Sequence, residues 1–145
     1  MKRFIVIFVL SVIFGMIFNP VYAHAAMEDE IVKQLNIARV QAGLPEYTYC
    51  KVLSDAAKIR AKECSERFSH TRPDGKAWYT VSDYTNAENL AYARNDVQGH
   101  ATNVVKAWLL SPSHKENVMS TASEKVGVAY YYDTDGDIYI VCEFD

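Results

Sequence analysis

Three residues of this chain, His70, Glu88 and His114, have the types and settings that could do chemistry. His70 lies in FSHTRPDG (68–75), where a charged helical pattern is broken by Pro73 and an Asp74-Gly75 turn. His114 lies in SPSHKENVM, just past another helical run. Between them AENLAYA places Glu88 and Asn89 in an otherwise apolar stretch, and a carboxylate buried there without a partner would cost several kcal/mol. Two neutral imidazoles and one carboxylate are a ligand set that zinc accepts while keeping a position open for water. Zinc held by His70 and His114 would lower the pKa of that water and make a hydrolytic centre. The bland alternative is a hydrogen-bonded cluster that fixes three loops around a cleft. Arg72 could orient an anionic ligand or pair with Asp74 or Glu88, and a surface ion pair is the commoner fate of such an arginine. Ser69 or Thr71 can cap nearby backbone groups.

Other chemistries lack their motifs. There is no HExxH. His114-Lys115-Glu116 begins a zinc-deaminase pattern, but the required P-C-x-x-C is missing. No nucleophile elbow or glycine-rich phosphate loop occurs, and no serine or cysteine sits in an evident base–nucleophile relation. DTDGD (133–137) resembles the first half of a calcium loop. Its glycine is misplaced and the closing acid is absent, so a plain hairpin turn is the better reading.

The elements that must position these residues follow from periodicity. Glu28 to Ala42 reads as a first helix with Ile31, Leu35, Ala38 and Val40 or Ala42 near one face, stopped by Gly43. Lys51 to Arg67 reads as a second, with Leu53, Ala56, Ala57, Ile59, Ala61 and Cys64 on an apolar stripe and Lys58, Arg60, Lys62, Glu63 and Glu66 facing out. Residues 71–85 lose periodicity and read as irregular or as a short helix. Asp96 caps a third helix through Leu110, with His100 solvent-facing, and Pro112 starts a short fourth. KVGVAYYY and IYIVCEF, joined by DTDGD, form an antiparallel hairpin. The class is α+β, layered.

The chain has 145 residues. Residues 1–26 combine Lys2 and Arg3, the run FIVIFVLSVIFGMIF and small-residue endings, a secretory signal cleaved after Ala23 or Ala25; the apolar run is also almost long enough for an uncleaved anchor. The remainder, 27–145, fits one domain with no room for a second, delivered outside the cytoplasm and free of the membrane once cleaved. Loss of Lys2 and Arg3 moves the net charge from −3 to −5, and an acidic chain without a basic stripe argues against nucleic acid as partner. Of the three cysteines, Cys50 and Cys64 would be about 21 Å apart on one helix, too far to bridge, so any disulfide uses Cys142. Three buried, reduced thiols fit equally well, and the odd cysteine leaves monomer and disulfide-linked dimer both open.

FSHTRPDG, AENLAYA and AWLLSPSHKENVM, followed by KVGVAYYY, together resemble the bacterial form of the CAP superfamily (cysteine-rich secretory proteins, antigen 5, pathogenesis-related 1), or SCP domain. The resemblance runs from about Ile31 to Phe144. It implies a three-layer α-β-α sandwich with a central antiparallel sheet and an open cleft lined by two histidines and two glutamates, which in some members holds a divalent metal. His70 matches the family histidine of the FSH motif, Glu88 the glutamate of the G-E-N motif and His114 the histidine of S-P-G-H, with Ala87 and Ser113 in place of the family glycines. The second glutamate has no clean counterpart, Glu116 being the nearest. The expected cleft is therefore His70, Arg72, Glu88, Asn89, His114 and Glu116. Two functions are compatible with it: a secreted module whose cleft takes a lipid, peptide or envelope component, its tyrosines offering amphipathic contact surface, or a hydrolase using His70, Glu88 and His114.

Overall fold

The computed structural model describes the backbone of residues 20–145 and the side chains from Met27 onward, so most of the expected leader (1–26) lies outside the described residues. Helix α1 spans Pro20–Gln41, beginning well before Glu28, because proline is tolerated in a first turn and the alanines that follow favour helix. It ends before Gly43, whose φ of +75° is the left-handed conformation a helix stop uses. Ile31 and Leu35 are buried as expected, but Val40 and Ala42 are exposed and the buried residue of the last turn is Arg39.

After the two-residue strand β1 (Thr48–Tyr49) comes α2, Lys51–Glu66. Its stripe differs from expectation at two adjacent positions. Ile59 is half exposed, and Arg60 is fully buried. A 3-10 turn at Trp78–Val81 leads to AENLAYA, which is strand β2 (Ala87–Ala93). The expected third helix is two, α3 (Asp96–Gly99) and α4 (Ala101–Leu110). Extended backbone at His100 separates them, and the exposed His100 ring caps α4 by accepting from the Thr102 amide. Asn95, not Asp96, caps α3, accepting from the Gln98 amide at 3.0 Å. Helix α5 (Pro112–Val118) opens on proline as expected. Strands β3 (Lys125–Tyr132) and β4 (Ile138–Phe144) close the chain. Their turn is tied by the Asp133 carboxylate, which accepts from the amides of Asp135 and Asp137, with Gly136 at φ +86°. The calcium-like residues of DTDGD are thus hairpin-turn residues.

The sheet order is β1-β3-β4-β2, antiparallel except for the short parallel β1–β3 pairing. Both faces are covered, which is why every residue of β4 is buried. Ile138, Ile140, Cys142 and Phe144 pack with residues of α1, α4 and α5, while Tyr139 and Val141 pack with Ala57, Ala61 and Cys64 of α2. The architecture is an α-β-α sandwich. Because neighbouring strand residues point to opposite faces, Glu143 shares the α2 face with Tyr139 and Val141.

Helix α2 lies almost on the backbone of β3. A Cβ at Gly127 would fall 2.0 Å from the Ser54 nitrogen and 2.2 Å from the Leu53 carbonyl carbon, and the Ser54 hydroxyl donates to the Val128 carbonyl at 3.0 Å. Backbone atoms cannot rotate away as a flexible side chain can. Gly127→Ala should therefore destabilise the protein by at least about 2 kcal/mol, within the overpacking range, read as a lower urea midpoint with an unchanged m value.

Candidate functional site

The site forms along β2, an edge strand, where the α2 layer and the α5 layer meet. Strand alternation sends Glu88 towards α2 and Asn89 towards α5. Glu88 reaches Arg60, which donates from Nε to Oε2 at 2.8 Å and from a terminal nitrogen to Oε1 at 3.3 Å. Arg60 also donates to Glu63 and to the Ser69 carbonyl, both at 2.7 Å. His70 Nδ1 lies 2.8 Å from Glu88 Oε1. Glu63 in turn receives Arg72, at 2.6 to 3.1 Å. Five charged or titratable side chains thus run as a ladder from the interior to the rim: Glu88, Arg60, Glu63, Arg72 and, beside Glu88, His70.

Burial alone would raise the Glu88 pKa, but the bonds from His70 and Arg60 outweigh it and hold the carboxylate below the usual range. Glu63 is likewise lowered, the two arginines overcoming its burial. Arg72 pairs with neither Asp74 nor Glu88 as expected; Asp74 instead caps the turn by accepting from the Lys76 amide. Ser69 acts as expected, its hydroxyl accepting from the Thr71 amide at 3.0 Å.

On the other face, the Asn89 amide donates to the His114 carbonyl at 3.0 Å and accepts from Asn117 at 2.8 Å. Arg39, buried against the Tyr47 ring, donates to the carbonyls of Val118 and Ser120. These bonds fix α5 against β2. The His114 ring is half-buried, and burial followed by the nearby His70 charge lowers its pKa, so it is neutral at physiological pH. Glu116 is exposed on α5 and among the described residues forms no hydrogen bond or ion pair with the cluster, because two residues along a helix turn a side chain to another side.

A second buried carboxyl was not foreseen. Glu143 stands opposite Glu88 in the β2–β4 register, fully buried. It accepts from the Thr85 hydroxyl and shares a side-chain hydrogen bond with Glu88. Burial first, and the Glu88 charge second, push its pKa up to about 9, so Glu143 is protonated at neutral pH. None of the three cysteines is paired. Cys50 precedes α2 rather than lying within it, and Cys64 and Cys142 pack on opposite faces of the sheet. That separation precludes a bridge between those two. Burial pushes the Cys64 thiol up to about 11, which removes it as a nucleophile.

Residues 32–144 match the family model described as "Cysteine-rich secretory protein family", CAP. The chain belongs to the CAP family. The uncharacterized protein YkwD of Bacillus subtilis is 26% identical over 114 residues, 73% of this chain but 43% of YkwD; the CAP domain described here therefore spans less than half of that relative. An outer surface protein from Borrelia burgdorferi is similar in structure, with a TM-score of 0.64, 25% identity and coverage of 81% of this chain and 90% of that one. NaASP2, solved with Zn2+, shares the fold at 16% identity and a TM-score of 0.62, over 81% of this chain and 78% of its own.

Of the expected zinc set His70, Glu88 and His114, the Glu88 carboxylate is already engaged in this CAP domain. Arg60 occupies both oxygens of Glu88, which makes the carboxylate an orienting group behind His70 rather than a ligand. Among the described residues no three of His, Cys, Asp and Glu are grouped to hold a metal. Two imidazoles are left, His70 with a carboxylate behind it in the manner of an outer-shell partner, and His114.

Sequence reasoning missed Arg60, Glu63, Glu143 and Asn117. A signal existed for Arg60, since it lies seven residues past Leu53 and four before Cys64, in the middle of the α2 stripe. Arg60→Ala should cost about 3–5 kcal/mol, because it strands a buried carboxylate, measured by urea denaturation. Glu143 makes the opposite demand on pH. Its folded pKa, about 9, is above its ordinary 4.5, so the stability it contributes is complete below about 4.5 and is lost as pH rises towards 9. Glu143→Gln should flatten the decline in unfolding midpoint between those pH values, and the loss of stability on acidification through the lowered pKa values of Glu63 and Glu88 should remain.

Proposed function

We propose that this CAP domain is a ligand-binding module of the extracellular or cell-envelope space, whose cleft presents the imidazoles of His70 and His114. The observation that carries this reading is the capture of Glu88 by Arg60. The acid that a hydrolase would use as a base is committed to holding His70, and among the described residues no serine or cysteine side chain is hydrogen-bonded to either imidazole. The family description and the outer-surface relative support a place outside the cell, and no helix among the described residues is long and apolar enough to cross a membrane. The ligands that suit such a cleft are a lipid, a peptide or an envelope component; the acidic balance does not suit nucleic acid.

His70 and His114 would also be the residues to hold a divalent cation. Such an ion would supply Lewis-acid character at the cleft. Glu88 fixes the His70 ring through Nδ1, leaving Nε2 as the nitrogen directed away from it. That same orientation is what favours the second reading, a hydrolase with His70 as base.

The deciding measurement combines zinc titration and turnover on untagged protein. With only two side-chain donors, zinc should bind in the micromolar range or more weakly, and His70→Ala or His114→Ala should abolish it. Casein and ester substrates should show no chelator-sensitive hydrolysis. Saturable turnover that is lost with chelator and in His70→Ala would replace the binding module with the hydrolase.

A further inference from the structure

Beyond the histidine cleft, the segment that follows His70 builds a separate pocket. A cavity of about 380 Å³ is lined by Trp78, Tyr79, Ser82, Asp83, Thr85 and Asn86, towards the lower end of the range of roughly 300–1,000 Å³ typical of small-molecule sites. Its aromatic walls stand nearly perpendicular, the Trp78 and Tyr79 rings being 5.6 Å apart at 85°. Tyr79 is exposed and Trp78 half-buried, an unusual presentation of two large rings unless something covers them. Among the described residues the Asp83 carboxylate and the Asn86 carboxamide make no side-chain hydrogen bond or ion pair, so both are available to a ligand.

The walls are held in place from behind. The Trp78 amide donates to the His70 carbonyl at 3.0 Å, and the Asn86 amide donates to the Phe144 carbonyl at 2.8 Å. Thr80 is tied to the Ala77 carbonyl and receives Arg72, while Thr85 of the lining is tied to the buried Glu143. The rings and polar groups therefore need little ordering on binding, which reduces its entropic cost.

The chemistry of this lining selects among ligand classes. No lysine or arginine lines the pocket and Asp83 adds negative charge, which disfavours phosphate, sulfate or carboxylate groups. An acyl chain would leave Asp83 and Asn86 unpaired against hydrocarbon. A peptide that binds by strand addition needs an open strand edge, and residues 78–86 are a 3-10 turn followed by a hydrogen-bonded turn. A neutral sugar ring fits each feature: its C–H face lies on an aromatic plane, and adjacent hydroxyls are taken by a carboxylate and a carboxamide.

We propose that the Trp78–Asn86 pocket binds a neutral glycan of one or two rings. The inference shares with the proposed function only the exterior setting and uses none of the side chains of His70, Glu88 or His114. Of the two tryptophans, Trp108 is 1% exposed, so ligand-dependent fluorescence reports on Trp78. The test is titration of the full-length protein with the β-1,4-linked tetramers of glucose and of N-acetylglucosamine. A saturable fluorescence change in the millimolar range or tighter is expected with at least one of them. Tyr79→Ala and Asp83→Ala, both at exposed positions, should each weaken it about tenfold, and His70→Ala with His114→Ala should leave it unchanged. No saturable change with either tetramer, or binding that survives both pocket substitutions, overturns the proposal. Loss of sugar binding only in the histidine variants would place the sugar in the cleft and would also overturn it. The zinc and turnover measurements are read independently of all these outcomes.

Discussion

A carboxylate buried on an edge strand is the constraint from which the rest of the site follows. Glu88 is 4% exposed, and a charge so placed persists only beside a cation with good hydrogen-bond geometry. Arg60 supplies that cation from the facing helix, and its remaining donors are then directed at Glu63 and the Ser69 carbonyl. The start of the FSH loop is pinned by those bonds. His70 arrives at Glu88 with one ring nitrogen already engaged. The corner at Arg72 is tied to the same helix through Glu63, so one buried pair organises α2, β2 and the loop between them.

Strand geometry decides how each of the two histidines is anchored. Adjacent residues of β2 face opposite layers, so Glu88 serves the α2 side and Asn89 the α5 side. His70 is positioned by the first and His114 by the second, through backbone rather than through its ring. Because β2 is the edge of the sheet, among the described residues no further strand lies beyond it there. Arg39 completes the arrangement by holding the end of α5 from α1. Two buried arginines, from the first two helices, thus hold α5 and the start of the FSH loop respectively.

Glu143 shows the cost of this arrangement. Its place in β4, opposite Glu88, puts a second carboxyl on a face that already holds one. With Arg60 committed to Glu88, the proton stays on Glu143, which is held by Thr85 and faces Glu88. Thr85 also lines the aromatic pocket, so His70, Glu88 and the pocket lie on a single continuous segment, 69–88.

The sequence alone determined the number and kind of most elements, because helical stripes, glycine stops and the DTDGD hairpin are local signals. It also identified the family through three short motifs, and with it the sandwich and the candidates His70, Glu88 and His114. Tertiary structure decided the partners. Whether Arg60 faces solvent or Glu88 depends on which flank of α2 meets the sheet, and a polar residue within an apolar stripe reads as its border until the facing carboxylate is known. The Glu88–Glu143 opposition depends on strand register, which joins residues 55 positions apart. Arg72 went to Glu63 rather than to its sequence neighbour Asp74 because the loop folds back onto α2. Chemistry that rests on residue type was visible in the chain, while the charge state and availability of each group were set by contacts that only folding creates.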